Sequence, residues 1–397
     1  MNKYRQSVDA IKEKCYYIDM LQRYYDSKID EFLVPNKVLV VYGPRQVGKT
    51  TLLDNYLDSL DKSIRVYKST GENIRLQQVL ESSDFSQIIP YFSSYDLVVI
   101  DEAQRIENIG QGLKIVVDQI KNIKVIATGS SSFDLSNKIG EPLVGRQNIF
   151  RLYPLSVLEL KAQFGNAYVH ENLENLLVYG SYPEVIKYES FEEKRNYLQQ
   201  VRDAYLYKDI LELENIKNSR KITDLLRLIA FQIGDEVSLE ELGNKLSMSK
   251  NTVARYLDLL EKSFVIVKVD GLGRNPRKSI TKMSRYYFLD NGIRNSLIGN
   301  FNPFDQREDE GQLWENFLVV ERLKKQAYTP IYSNNYFWRT YDQKEIDWVE
   351  EREGRLFGFE FKWKKHVSKN KFYWIESNPD EAVFELINKD NYLDFVS

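Results

Sequence analysis

Along the first 150 residues, short continuous apolar runs alternate with segments of helical period. In residues 37–42, Lys-Val-Leu-Val-Val-Tyr, every position after Lys37 is apolar or aromatic, which predicts a strand buried on both sides. Leu52, Leu53 and Tyr56 then recur at helical spacing over 51–57. Further strands are predicted at 64–67, 97–102, 124–128 and 148–152, with a helix over 74–80. This alternation predicts an α/β fold: a mostly parallel sheet with helices on both faces. Residues from about 155 to 215 read as helical, broken at Tyr179-Gly180-Ser181-Tyr182-Pro183. Beyond them, 238–246 and 249–260 are two short amphipathic helices joined by a tight turn, the first capped by Ser238. That pair is a helix-turn-helix, and the strand at 264–269 extends it to a winged helix. Near the end, a helix over 312–320 precedes strands at 337–340, 345–349 and, past a turn at Gly354, 356–363. In the last, Phe359, Phe361 and Trp363 alternate with Glu360, Lys362 and Lys364.

A chain of 397 residues, 43% hydrophobic, can fill the cores of two or three domains. No apolar run approaches the roughly 18 residues of a membrane span, and the first residues lack the apolar core of a signal peptide. The expectation is a cytoplasmic protein without membrane contact. Cys15, His170 and His366 are the only cysteine and histidines, which excludes a disulfide framework and a Cys/His zinc site. A net charge of −3 excludes a global positive field, so any nucleic-acid contact must come from a local patch.

The sharpest candidate chemistry follows the first strand. Gly43-Pro44-Arg45-Gln46-Val47-Gly48-Lys49-Thr50-Thr51 is a glycine-rich turn that opens a helix. Its glycines let backbone N–H groups turn inward around β- and γ-phosphates, Lys49 adds a point charge, and the Thr50 hydroxyl suits a Mg²⁺ shell. About fifty residues on, the third strand ends in Asp101 and Glu102. Asp101 is the candidate metal-supporting acid, and Glu102 the candidate base for the water that attacks the γ-phosphate. The fourth strand ends in Thr128-Gly129-Ser130-Ser131-Ser132, small hydroxyls where a sheet tip would face a nucleotide.

The combination Gly-Pro-Arg-Gln-Val-Gly-Lys-Thr-Thr-Leu-Leu, Ile-Asp-Glu-Ala-Gln, Thr-Gly-Ser-Ser and Leu-Tyr-Pro-Leu-Ser-Val-Leu-Glu-Leu resembles a prokaryotic AAA+ P-loop ATPase of the archaeal-type ATPase family. The resemblance covers most of the chain. It implies ATP and Mg²⁺ as cofactors, Thr128 and Ser130 at the position that reads the γ-phosphate, and a winged helix plus a restriction-endonuclease-like domain of unsettled function behind the ATPase core. Arg146 matches an arginine that acts as a finger on a neighbouring subunit's nucleotide; the bland reading of it is a surface ion pair. The implied domains are residues 1–153, a core with an N-terminal helix; 154–215, a helical lid and linker; 216–270, the winged helix; and 271–397, a basic linker and the nuclease-like domain.

Two features of the second half point toward DNA. The second helix of the helix-turn-helix offers Ser249, Lys250, Asn251, Thr252 and Arg255 to a groove. Residues 271–285 carry Arg274, Arg277, Lys278, Lys282 and Arg285 without one acid, a set whose phosphate contacts would make binding salt-dependent. Downstream, an Asp followed by Glu-x-Lys on the next strand resembles a restriction-type nuclease site. There Asp347, Glu360 and the helix-borne Glu315 would bind a second Mg²⁺ or a Mn²⁺, and Lys362 would stabilise the phosphorane. Ile346 stands where that pattern often has proline. The bland alternative is a solvent-facing strand with cross-strand charge pairs. Sequence therefore leaves two main functional readings open, beside a third, a conventional ring-forming remodeller, that rests on Arg146. One is an ATPase coupled to DNA binding or processing, with an ATP-regulated metal-dependent nuclease. The other is a slow ATPase switch whose winged helix and inactive nuclease-like domain bind DNA or protein. A homo-oligomer or a partner protein remains open in both.

Overall fold

The computed structural model describes residues 21–130, 142–204, 219–273, 284–340, 342–364, 368–378 and 382–397. The chain divides into two compact units, Met1–Pro154 with Lys262–Phe264, and Leu155–Glu261 with Val265–Ser397.

In the first unit, β1 (Val38–Tyr42), α1 (Lys49–Ser59), β2 (Val66–Thr70), α2 (Ile74–Glu81), α3 (Phe85–Phe92), β3 (Leu97–Asp101), α4 (Ile109–Gln119), β4 (Lys124–Gly129) and β5 (Gln147–Arg151) follow in order. All five strands are parallel, arranged β2-β3-β4-β1-β5. The unbroken apolar run of β1 is explained by its central place between β4 and β5, where all five residues are buried. Val38, Val40, Val98, Ile100, Val125 and Ala127 form one face of the sheet's core with Leu76, Leu80, Leu113 and Val116 of α2 and α4. Because the strands are parallel, the ends of β1, β3 and β4 emerge at one edge of the sheet. Strand β2 begins and ends later than the expected 64–67. Asp61 turns the chain before it, Ile64 N–H donating to the Asp61 carbonyl, and Asp96 takes the Arg65 N–H at 2.9 Å. As an edge strand, β2 tolerates the polar Lys68, Ser69 and Thr70 that pair with β3.

In the second unit, α5 (Val157–Glu171), α6 (Leu173–Tyr179), α7 (Pro183–Lys187), α8 (Phe191–Ala204) and α9 (Ser219–Phe231) precede β6 (Glu236–Val237), α10 (Leu239–Leu246) and α11 (Lys250–Lys262). Ser238 caps α10, its hydroxyl accepting from the Glu241 N–H, and Ser247 turns the chain with φ 50°. A hairpin of β7 (Ile266–Gly271) and β8 (Ser284–Phe288) follows, then α12 (Asn291–Ile298), α13 (Glu310–Tyr328), β9 (Asn334–Arg339), β10 (Glu345–Arg352), β11 (Arg355–Phe361), α14 (Asn370–Ser377), β12 (Val383–Ile387) and α15 (Tyr392–Val396).

The boundary expected at 215/216 lies outside the described residues, and the one expected at 270/271 falls inside a strand. Strand β7 straddles the second, and its parallel pairing with β9 makes one seven-stranded sheet, β12-β11-β10-β9-β7-β8-β6. The hairpin and the last hundred residues therefore share hydrogen bonds and a core. The Tyr179-Gly180-Ser181 break is equally structural. A Cβ on Gly180, where φ is 72°, would sit 2.0 Å from an Asp290 oxygen, and one on Gly292 would sit 2.1 Å from the Tyr179 carbonyl. Asp290 accepts from the Ser181 N–H at 2.7 Å and caps α12 through the Ile293 N–H. Only glycines let these two backbones meet at that distance.

Candidate functional site

The loop between β1 and α1 is built as a backbone cradle. Gln46 and Gly48 take positive φ, 61° and 92°, and no side chain caps the start of α1. A Cβ on Gly43 would lie 2.1 Å from the Leu152 carbonyl, so the loop begins flush against the residue after β5. Pro44 and Val47 are buried, Arg45 is half-buried, and Gln46, Thr50 and Thr51 are exposed. Lys49 is buried, with its ammonium donating to the Gly43 and Pro44 carbonyls at 2.8 and 2.9 Å.

The strand order closes the site around this loop. Thr50 Oγ1 donates to Asp101 Oδ2 at 2.8 Å, joining the first turn of α1 to the end of β3. From β4, which lies between those strands, the Thr128 hydroxyl donates to Asp101 Oδ1 and accepts from the Glu102 N–H at 3.1 Å. Glu102 itself sits at φ 51°, a left-handed conformation uncommon for a residue with a side chain. Its carboxylate accepts from Gln104 Nε2, which also donates to Ser130 Oγ at 3.1 Å. Lys49, Thr50, Asp101, Glu102, Thr128 and Ser130 thus converge. Ser131 and Ser132 lie outside the described residues. The donor set fits a nucleotide phosphate with its divalent ion: inward N–H groups, one ammonium, one hydroxyl and one carboxylate.

Two members of this site escaped motif reading. Gln104 stands inside Ile-Asp-Glu-Ala-Gln but had been given no role. Arg23, which donates to the Val47 and Tyr153 carbonyls, lies in no local pattern. Arg146 is placed apart from the loop. Its carbonyl accepts from the Val38 N–H at the entry of β1, and its guanidinium pairs with Asp118 of α4 at 2.6 Å. Any finger role therefore concerns a neighbouring subunit.

Residues 35–161 match the family model described as AAA domain, 170–303 match Domain of unknown function (DUF8612), and 310–386 match Domain of unknown function (DUF4143). Over residues 35–161 the chain is thus similar to AAA domains, in keeping with the parallel sheet and phosphate loop described above. An uncharacterized protein of Haemophilus influenzae is 24% identical over 388 residues, 93% of this chain and 90% of that protein. One of Mycobacterium tuberculosis is 26% identical over 330 residues, 82% of this chain and 70% of that protein. Among solved structures, replication initiator DnaA bound to AMPPCP and single-stranded DNA is 16% identical, covering 62% of this chain and 91% of that one with a TM-score of 0.31. At that score the likeness bears on neither partner nor activity. Among the described residues, no helix is long and apolar enough to cross a membrane.

The acids of the second unit form a different kind of site. Asp347 neighbours the Trp348 and Phe359 pair of β10 and β11, and its Oδ2 accepts from the Phe361 N–H at 2.7 Å. Glu360 accepts from Ser368 Oγ and from Asn370 Nδ2 at 3.3 Å, with Lys362 Nζ 3.4 Å away. Glu315 accepts from Tyr287 Oη at 2.7 Å and pairs with Arg285 at 3.4 Å.

The expectation that Glu315, Asp347 and Glu360 hold a metal together is corrected. Among the described residues, no group of three or more His, Cys, Asp or Glu side chains is arranged to hold an ion. Each acid is instead turned onto protein donors of its own. Arg285, expected in a basic stretch facing DNA, is corrected too. It is buried beneath this cluster, bridging Glu315 and, at 2.8 Å, Glu345. Arg274, Arg277, Lys278 and Lys282 lie outside the described residues.

Burial first, and the mutual repulsion of the two acids second, raises the Glu315 carboxyl well above the ordinary range, against the pull of Arg285. Burial also raises Asp347, opposed by Lys362. A carboxyl whose folded pKa is raised binds more protons folded than unfolded, so stability falls as pH rises from its unfolded value, near 4, toward the folded one. Thermal unfolding followed from pH 4 to 8 should show this decline, and Glu315→Gln should make it shallower. An unchanged slope in the variant contradicts the assignment.

Proposed function

We propose that this protein binds Mg·ATP through the loop at 43–51 and hydrolyses it slowly, as a nucleotide switch. The observation that supports this is the convergence of Lys49, Thr50, Asp101, Glu102 and Thr128 at one edge of a parallel sheet. In this reading the loop amides and Lys49 would hold the β- and γ-phosphates, while Thr50 and Asp101 would hold Mg²⁺. When bound, that ion would supply stabilisation of negative charge on the phosphoryl group. Glu102 accepts the proton of the attacking water. Gln104 Nε2 steadies one of its oxygens and leaves the other to take the proton, and in this reading Ser130, bonded to the same amide, would read the γ-phosphate. Arg146 as a finger on a neighbouring subunit belongs to the same proposal and requires an oligomer. Saturating ATP, at about a hundred times its dissociation constant, should stabilise the wild type by roughly 2.7 kcal/mol. Lys49→Ala should lose that shift in melting temperature. Wild type and variant melting together with ATP contradicts the site.

For the second unit we favour a binding module over a metal-dependent nuclease. The favouring observation is that Glu315, Asp347 and Glu360 are each satisfied by protein donors. We read α10, α11 and the β7–β8 hairpin as a winged helix. Ser249, just before α11, and Lys250, Asn251 and Arg255 on it are exposed, chemistry suited to phosphate oxygens and base edges. Duplex DNA binding that weakens steeply between low and physiological salt, with supercoiled plasmid left intact in Mg²⁺ or Mn²⁺, is the expected result. Cutting that is lost in Asp347→Ala and Lys362→Ala restores the nuclease reading.

A further inference from the structure

We propose that Arg23 is a positioning residue of the phosphate loop. It aims one backbone amide at the nucleotide and ties the loop to the point where the chain leaves the first compact unit. Arg23 is buried, although it is a long cation in a stretch without any motif. Its own N–H donates to Asp26 Oδ2 at 2.6 Å, which fixes its backbone within the turn before the short helix Ile29–Phe32. Its two terminal nitrogens then divide. Nη1 donates to the carbonyl of Val47, and Nη2 donates to that of Tyr153 at 2.6 Å.

The Val47 carbonyl is one half of a planar peptide whose other half is the Gly48 N–H. In a trans peptide the two point in opposite directions, and the chain contains no cis peptide among its described residues. By holding the oxygen behind the loop, Arg23 turns the Gly48 N–H toward the loop's interior, where an anion would be bound. The constraint matters here because Gln46 and Gly48 both take positive φ, and glycine's permissive backbone would otherwise let this peptide rotate. The guanidinium also stands close to the loop: Nη1 is 3.6 Å from where a Cβ on Gly48 would sit.

The second carbonyl gives the clamp direction. Tyr153 follows β5 and precedes Pro154, the last residue of this stretch of the unit. The other end of the loop is fastened to the same place, since Gly43 lies against the Leu152 carbonyl and the Leu152 N–H donates to Tyr42 O at 2.7 Å. Both ends of the phosphate loop therefore bear on residues 152 and 153, one by direct packing and the other through Arg23. A shift of the loop on binding phosphate reaches the exit of the domain through one side chain.

The inference rests on the nucleotide-binding reading, and the test separates the two. Affinities for ATP and ADP with Mg²⁺ are measured by titration on the full chain for wild type, Arg23→Lys and Arg23→Gln, beside the melting temperature without nucleotide. Lysine keeps the buried charge but lacks the fork that reaches two carbonyls. Arg23→Lys should weaken both nucleotides by at least about tenfold, the scale of one charge-assisted hydrogen bond, while its unliganded melting temperature stays near that of the wild type. Should the glutamine variant fail to fold, the lysine variant decides. Wild-type affinity in Arg23→Lys overturns the inference alone. A wild-type protein that binds neither nucleotide overturns the reading beneath it, and the inference with it.

Discussion

The hydrogen bond from Thr50 to Asp101 joins two residues 51 positions apart in sequence, and the first unit is arranged around making it possible. It needs β1 and β3 to end at the same edge with β4 between them, which only the parallel order β3-β4-β1 provides. It needs Thr128, at the end of that middle strand, to hold the other oxygen of Asp101 and the amide of Glu102. It also needs α1 to start without a side-chain cap, so that the first helical amides face the ligand side of the loop. Local sequence, sheet topology and the chemistry of the edge are thus one constraint seen at three scales.

The second unit turns its charges inward. Glu321 and Lys324 form an ion pair inside the core, where Lys324 also donates to the Leu155 carbonyl at 3.1 Å and Glu321 accepts from the Val157 N–H at 2.6 Å. Arg322 makes a two-pronged pair with Glu350 at 2.6 and 2.9 Å. Arg285, Glu315 and Glu345 make a third such group. Buried pairs of this kind add little net stability over apolar packing, but removing one partner leaves an uncompensated charge, so they penalise misassembled alternatives strongly. The same bonds that fix the fold occupy the acids that an ion would need.

What was legible in the sequence was what local pattern encodes. The phosphate loop, the Asp101 and Glu102 strand end and the two helices at 238–260 each announce themselves within a dozen residues, and the structure places them on the expected elements. Illegible were partnerships made across the chain. Arg23 reaches Tyr153 across 130 positions, and Arg285 reaches Glu345 across 60. A basic residue in a basic stretch carries no local sign that it will be buried against acids. The boundary placed at 270/271 failed for a similar reason: the pairing of β7 with β9 is made by two residue pairs, and no periodicity predicts which strand a hairpin's edge will accept. Strand β12 and the helix α12 were missed because the first is a five-residue edge strand interrupted by Glu385, and the second buries polar side chains that pattern reading assigns to a surface.

The central claim, that the edge formed by β1, β3 and β4 turns over ATP with Glu102 as the base, is tested most directly by ATP hydrolysis of the wild type and of Glu102→Gln in Mg²⁺, with ATP binding measured in parallel. The account predicts that the variant binds ATP as the wild type does while its turnover falls by about 10² to 10⁴. Hydrolysis by Glu102→Gln at the wild-type rate, or a wild type that binds ATP and never cleaves it, would contradict the account.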